Sequence, residues 1–466
     1  MISLINLSTN TTLNKIRDGL NITHKKLNNM YDYSYLYTLN GYRAKFIDSA
    51  SKFNIDETIT NTYLLNLIKT EYYPYIKNRC DEIASIPLIE QKTPDWFLQR
   101  ERMISASDSG YFLKKCGVSK AVDSLKIKVG LKKYCNSNAP PLMHGNTYED
   151  VSRAIYESRN GVSVTEYGIL NSPTECIGAS PDGIVTACHN DTIECQSKYG
   201  RLLEIKNPYS REIDNTIKEE YMVQILQQQY TTQIPVCDFV ETTIVDAYCN
   251  TNNSNYKPYM NLAEMLEDKL DITKPQCLAR IKNKNIPADN LNKFGNEKGL
   301  LVWYKKIVSE GDVRNKYIMY PLTLAYETQA IEKWIVDTNS ALWTQGYTYV
   351  CTKFWRLDVY SEKTVVYDQQ TFEGDYVPKL CEIWEVIVKC NAMRVKGQDV
   401  AAFIESLEAD KDSPFYNEKK RKKKVNSEGE TGNSSNSSDS INSSNSNSGD
   451  VYASHFKPNK DIIINF

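Results

Sequence analysis

The stretch SPDGIVTACHNDTIECQSKYGRLLEIKNPY, residues 180–209, decides the fold. Pro181-Asp182-Gly183 is a turn signal, and Ile184 and Val185 behind it favour a strand. RLLEIKNPY is a second strand, stopped by Asn207-Pro208. Residues i and i+2 of a strand share a side, so Glu204 and Lys206 face one way and Leu203 and Ile205 the other. If the two strands pair, Asp182 and Glu204 converge. Two carboxylates at close range raise one another's pKa unless a cation sits between them. Two oxygen donors with open positions suit Mg²⁺, which keeps several waters and binds phosphate oxygens. A lysine beside them can orient or polarise an attacking water. Singly, Asp182 is an ordinary turn former and Glu204 with Lys206 an incidental ion pair. Their order is what points to phosphodiester chemistry.

Upstream, HGNTYEDVSRAIYE (144–157) reads as part of a helix ended by Gly161. Its polar face starts near Glu149, which is a plain surface glutamate or a third acid supporting a metal. His144 precedes it and fits a residue that supports the metal ligands from behind better than a ligand itself. Downstream, EEYMVQILQQQYTTQI (219–234) is a helix and CDFVETTIVDAY (237–248) a strand. Helix, strands, helix, strand is the order of an α/β core with a mixed sheet.

Pro-Asp-Gly followed by Glu-x-Lys resembles the PD-(D/E)XK nuclease signature. The bare pattern is unspecific, but its surroundings narrow it. WFLQRERMISASD (96–108) resembles the opening motif of the λ-exonuclease and YqaJ-type viral recombinase nucleases. HGNTYE (144–149) resembles their helical acid motif, and SPDGIV, LEIKNP and YMVQILQQQY resemble the next three, in order. The match covers residues 92–250 well and 300–395 weakly.

The resemblance implies a restriction-endonuclease-like core, a mixed sheet flanked by helices, and a metal-dependent deoxyribonuclease. Digestion of duplex DNA from 5′ ends in viral recombination, repair or defence is the expected activity. Asp182, Glu204 and the main-chain carbonyl of Ile205 would hold Mg²⁺ or Mn²⁺, one ion or two, with Glu149 near the second. Lys206 would be the catalytic lysine. Gln224 would be catalytic, near the nucleophile, with Tyr221 one helical turn before it and Gln228, which would contact the DNA, one turn after. Arg100 and Ser107 would grip a terminal 5′-phosphate, as a guanidinium fork and a serine near a helix start are suited to do. Duplex DNA ends are the implied partner, together with a homo-oligomer and a single-strand annealing or helicase protein. Large cytoplasmic DNA viruses carry such proteins, which implies the host cytoplasm (the viral factory) or packaging in the virion. Some relatives thread DNA through a trimeric ring. The extra segments of this chain keep that processivity from carrying over.

The rest of the sequence bounds these readings. The chain has 466 residues and a formal net charge of −2, so affinity for nucleic acid must come from local basic patches. One such stretch is KKCGVSKAVDSLKIKVGLKK (114–133), in which Lys114 and Lys115 follow the phosphate motif. It is a solvated helix face or a set of phosphate contacts. The 12 cysteines include no C-x-x-C pair, so no iron–sulfur cluster is expected, unlike the four-cysteine nucleases of CRISPR adaptation. Neither a signal peptide nor a membrane-spanning apolar run is apparent, and free thiols are expected. Residues 1–88 read as a helical N-terminal appendage, 89–403 as the nuclease domain with an insertion at 251–300, and 413–455 as a disordered low-complexity tail. Trp96 fits the core better than a base-stacking platform, Ser105 and Ser107 fit helix caps, and His189 a loop. The rivals to an exonuclease are an endonuclease of viral defence or repair and a non-catalytic DNA-binding protein that keeps the fold.

Overall fold

The computed structural model describes residues 7–19, 46–89, 93–132, 139–214, 216–247, 258–268, 297–309 and 312–418. In chain order these form α1 (Leu7–Gly19), α2 (Glu57–Leu67), α3 (Tyr73–Ala84), α4 (Pro94–Glu101), β1 (Ile104–Ser105), α5 (Ala106–Phe112), α6 (Val118–Lys128) and α7 (Pro140–Asn160). Next come β2 (Val162–Thr165), β3 (Leu170–Asn171), β4 (Ile177–Ala179), β5 (Gly183–Cys188), α8 (Ile193–Gln196), β6 (Leu202–Lys206), α9 (Glu219–Thr232) and β7 (Val236–Val245). The remainder is α10 (Leu262–Glu267), β8 (Lys298–Ser309), β9 (Asp312–Met319), α11 (Thr328–Trp343), β10 (Thr348–Val366), α12 (Val377–Val395) and α13 (Val400–Ala409).

The main sheet has seven strands in the order β2-β5-β6-β7-β10-β8-β9. β5 runs antiparallel to both β2 and β6, whereas β6 and β7 pair parallel, with Lys206 opposite Glu241. A parallel pair needs a crossover, and α9 supplies it. Helix α7, three antiparallel strands, α9 and a parallel strand make the expected mixed α/β, restriction-endonuclease-like core. Short strands β1, β4 and β3 form a second sheet beside it.

The local chemistry explains these elements. A proline opens α7, and Gly161 ends it in the left-handed conformation at φ +63. Thr93 caps α4 by accepting from the Trp96 amide at 3.3 Å. Gly183 allows β5 to lie against β2, since a Cβ there would sit 2.2 Å from Val164 Cγ1. β6 is buried on both faces. Leu203 and Ile205 pack against Val151, Ile155 and Tyr156 of α7, while Leu202 packs towards α9 with Ile225 and Phe239.

The expected N-terminal appendage is corrected by this packing. Leu13, Ile16, Phe46, Tyr63, Leu64, Ile76 and Ile83 share one core with Ile184, Leu202, Ile225, Phe239 and Val365 of the sheet and α9. Arg79 Nε also donates to Thr232 O at 2.6 Å. The N-terminal helices are thus a layer of the domain. The far boundary moves as well, because α13 runs to Ala409 and Phe415 is fully buried in the core of α5, α6, α12 and α13. The tail therefore begins later than residue 413. Its basic and Ser/Asn-rich stretches, and most of the 251–300 insertion, lie outside the described residues. From that insertion α10 buries Met265 beneath β8 and α11.

Candidate active site

Asp182 sits in the turn that opens β5, and its Oδ2 accepts from the Ile205 amide of β6 at 2.7 Å. This bond crosses the β5–β6 pair and brings Asp182 to the strand that carries Glu204. Glu204 is fully buried, and both its oxygens are engaged. Lys206 Nζ donates to Oε1, and Gln228 Nε2 of α9 donates to Oε2 at 2.6 Å. The Lys206 ammonium also lies 5.3 Å from the Tyr221 ring.

The electrostatics are those of an under-compensated acid cluster. Burial pushes the Asp182 carboxyl well above the usual carboxylate range, and the charges of Glu204 and Glu149 push it further against the pull of Lys206. Burial draws the Lys206 ammonium down, but Glu204 and Asp182 outweigh it and hold the group above the ordinary lysine range. Glu149, half-buried on α7, thus acts on the same site. The three carboxylates do not close into a ready cage. Among the described residues no three His, Cys, Asp or Glu side chains converge as a metal-holding group.

A pocket lies directly beside the acids. It is lined by Trp96, Arg100, Ser105, Ala106, Ser107, Ile169, Ala179, Ser180 and Gln224, so it reaches within two residues of Asp182. Arg100 Nη2 donates to Ser105 Oγ at 2.9 Å and Ser107 Oγ at 3.0 Å, and its guanidinium stacks 4.8 Å from the Trp96 ring. Ser105 in turn donates to Asp108 Oδ2 at 2.6 Å. Lys128 of α6 donates to the Arg100 carbonyl at 2.5 Å and stands 3.7 Å from Asp108. The guanidinium is thus held in the pocket lining by two serine hydroxyls, the Trp96 ring and Asp108, whose Oδ2 lies 3.5 Å from Nη2.

The structure brings most of the expected side chains together and sets others apart. Asp182, Glu204, Lys206 and Glu149 form one electrostatic group, Arg100, Ser107 and Gln224 form the adjoining pocket, and the Ile205 amide binds Asp182. Gln228, expected at the DNA, is fully buried and holds Glu204 instead. Lys114 and Lys115 lie outside the pocket. Lys115 is paired with Glu219 at 3.0 Å, and Lys114 is half-buried near Glu382, its ammonium drawn down by burial. Trp96 is a half-buried pocket wall, and Ser105 bonds Arg100 as well as standing at a helix start. His144 is buried between Tyr148 and Tyr209, with ring centroids at 4.9 and 5.5 Å. Burial lowers it to about 4, Lys353 lowers it too, and Asp246 opposes them. The His189 ring meets Ser163, at 2.8 Å, across the β2–β5 pair, and its amide donates to Gly161 O. Sequence reasoning missed Asp108, Lys128 and Gln227. Gln227, fully buried, donates to Ile104 O and Gly178 O, both at 2.9 Å, and so ties β1 to β4 behind the pocket. The motif SASD contained the signal for Asp108. Nothing separated Lys128 from the other lysines of its run.

Residues 95–235 match the YqaJ-like viral recombinase domain. An uncharacterized protein of Acanthamoeba polyphaga mimivirus is 28% identical over 379 residues, which are 76% of this chain and 63% of that protein. The chain thus spans less than two thirds of that relative. Two crystal structures of an alkaline exonuclease, LHK-Exo, are also similar. One is from Laribacter hongkongensis, at 27% identity, and the other is a complex with dAMP, at 26%. Each match covers 32% of this chain and 74% of the other, with a TM-score of 0.26. No described helix is long and apolar enough to cross a membrane.

Proposed function

We propose that the YqaJ-like domain of this chain is a divalent-metal-dependent deoxyribonuclease that digests duplex DNA from its 5′ ends. One observation carries this reading: a buried acid, acid and lysine lie beside a pocket built around a clamped arginine and two serines. A hydrolytic site for internal cuts has no use for a walled, arginine-floored pocket next to its acids. A terminal phosphate does, because the guanidinium fork and hydroxyls are matched to its oxygens.

The donor set fits Mg²⁺ or Mn²⁺. Asp182 is held above its normal pKa by burial first and by the negative charges of Glu204 and Glu149 second, and a bound cation would offset both. An open site with two or three carboxylates, rather than a closed cage, suits an ion that keeps several waters and also takes phosphate oxygens. Asp182 and Glu204 would hold the ion, Glu149 would support it, and the ion would supply charge neutralisation at the scissile phosphate and an activated water. Gln228 fixes the Glu204 carboxylate in place. Lys206, charged throughout the neutral range, places a donor at the site where negative charge develops on the phosphate. Gln224 faces the terminal pocket from the α9 side.

The test is cleavage of linear and covalently closed duplex DNA with Mg²⁺, Mn²⁺ or EDTA, the linear ends carrying or lacking a 5′-phosphate. The reading requires metal-dependent loss of linear DNA alone, faster with 5′-phosphate, and abolition of that preference by Arg100→Ala. Cutting of the closed circle would replace it with an endonuclease. Binding without cleavage in any metal would replace it with a DNA-binding protein.

A further inference from the structure

We infer that the three-stranded extension formed by β8, β9 and the first half of β10 is an arm that carries the duplex away from the active site, gripping its phosphates with Lys306, Arg314 and Lys316. The inference rests on the nuclease reading above and adds a second contact region to it.

The register of the sheet sets the geometry. Lys206 is level with Glu241 of β7, and Glu241 with Ser361 of β10. β7 ends at Val245, opposite Arg356, but β10 continues past it to Thr348, paired with Lys305 of β8. The arm therefore projects beyond the edge at which the catalytic strand ends. About a dozen residues of β10 separate the two levels, roughly 40 Å at a strand's rise. That is the length of about 12 base pairs at 3.4 Å each.

The chemistry of the arm is cationic and aromatic. Lys306 is the cross-strand neighbour of Arg314, and Lys316 that of Tyr304 on the same face. Lys306 and Lys316 both stand over the Tyr347 ring, at 5.6 and 5.4 Å. Lys306 is fixed further by donating to Gln345 O at 2.8 Å. Arg314 is exposed, and so is Lys305 on the opposite face. Among the described residues none of these four cations has a carboxylate partner. Cations gathered on one face with no acid to neutralise them are held at a cost that a polyanion removes. An evenly charged backbone fits such a strip without any need to read bases.

The experiment is binding of the full chain, in EDTA to prevent cutting, to a hairpin-closed duplex of about 8 base pairs and to one of about 30, each with one open end, across a salt series, with cleavage of the same two duplexes then read in Mg²⁺. The expected result is tighter binding of the long duplex, with a steeper dependence on salt. Arg314→Glu should weaken the long duplex by about tenfold and reduce its salt slope by about one, while the short duplex binds and is cut as before. The pair Lys306→Gln with Lys316→Gln should behave likewise, and Lys306→Arg with Lys316→Arg should retain wild-type binding. Equal losses on both lengths, or no loss on either, would overturn the arm. If wild type cuts both lengths without distinguishing them, the arm fails and the nuclease reading stands. If wild type neither binds nor cuts either, both fall. Arg314 is exposed, so its variant tests the surface without disturbing the core.

Discussion

Glu204 has no exposure and two donors, one ammonium and one amide, and that pairing engages both oxygens of a carboxylate buried inside the sheet. Removing Lys206 as Lys206→Ala should cost at least about 10²-fold in cleavage rate with little change in duplex binding, read by single-turnover cleavage beside anisotropy. Gln228→Ala leaves Glu204 one donor short and should lower the rate less, while Gln228→Glu should silence the site by placing like charges together. His144 gives a pH dependence with a definite sign. Its folded pKa is about 4 against an ordinary 6.5, so the unfolded chain takes up a proton between these values and the folded one does not. Stability is therefore present above about pH 6.5 and lost as pH falls towards 4, by up to about 3 kcal/mol. His144→Phe keeps the ring between Tyr148 and Tyr209, so it should flatten the melting temperature across that window. The acid, acid and lysine were legible in the sequence because strand alternation and a turn residue fix their side. Gln227, Gln228 and Gln229 were not, because three consecutive glutamines look like a solvated face. All three are fully buried, and what each bonds is set by strands distant in sequence.

At the level of elements, α9 is the keystone between the acids and the terminal pocket. Gly110 of α5 lets α9 approach closely, since a Cβ there would lie 2.8 Å from Glu220 Cβ and 3.0 Å from its Cα. Gly110→Ala must push α9 off the sheet side of α5, with an expected cost of about 1–3 kcal/mol, read as a lower urea midpoint with an unchanged slope. Gln227→Ala removes the donor shared by Ile104 O and Gly178 O. It should cost about 1–3 kcal/mol and also blunt the 5′-phosphate preference, since β1 carries Ser105 into the pocket. The strands β8 and β10 could be recognised from their aromatic, β-branched composition. Their projection past β7 could not, because it follows from a register between segments roughly 40–130 residues apart, and pairing at that range leaves no local pattern.

Across the whole molecule, the helices before residue 88 and the strands after 235 are joined in one core, and this was the least legible feature. Helical periodicity shows that α2 and α3 have an apolar side, but not what covers it. Truncation of residues 1–88 should therefore yield a chain without a cooperative thermal transition, rather than a smaller active nuclease, as calorimetry can establish. Ile76→Ala, at a fully buried site against Gly200, should cost about 2–5 kcal/mol. The shared core also orders events during synthesis. The N-terminal helices leave the ribosome first, yet Val365, which completes their core, is made about 280 residues later. At ordinary elongation rates that delay is roughly 15–60 s. Until then the apolar layer is only partly covered, so newly made chains should depend on holding chaperones far more than the finished protein's stability would suggest.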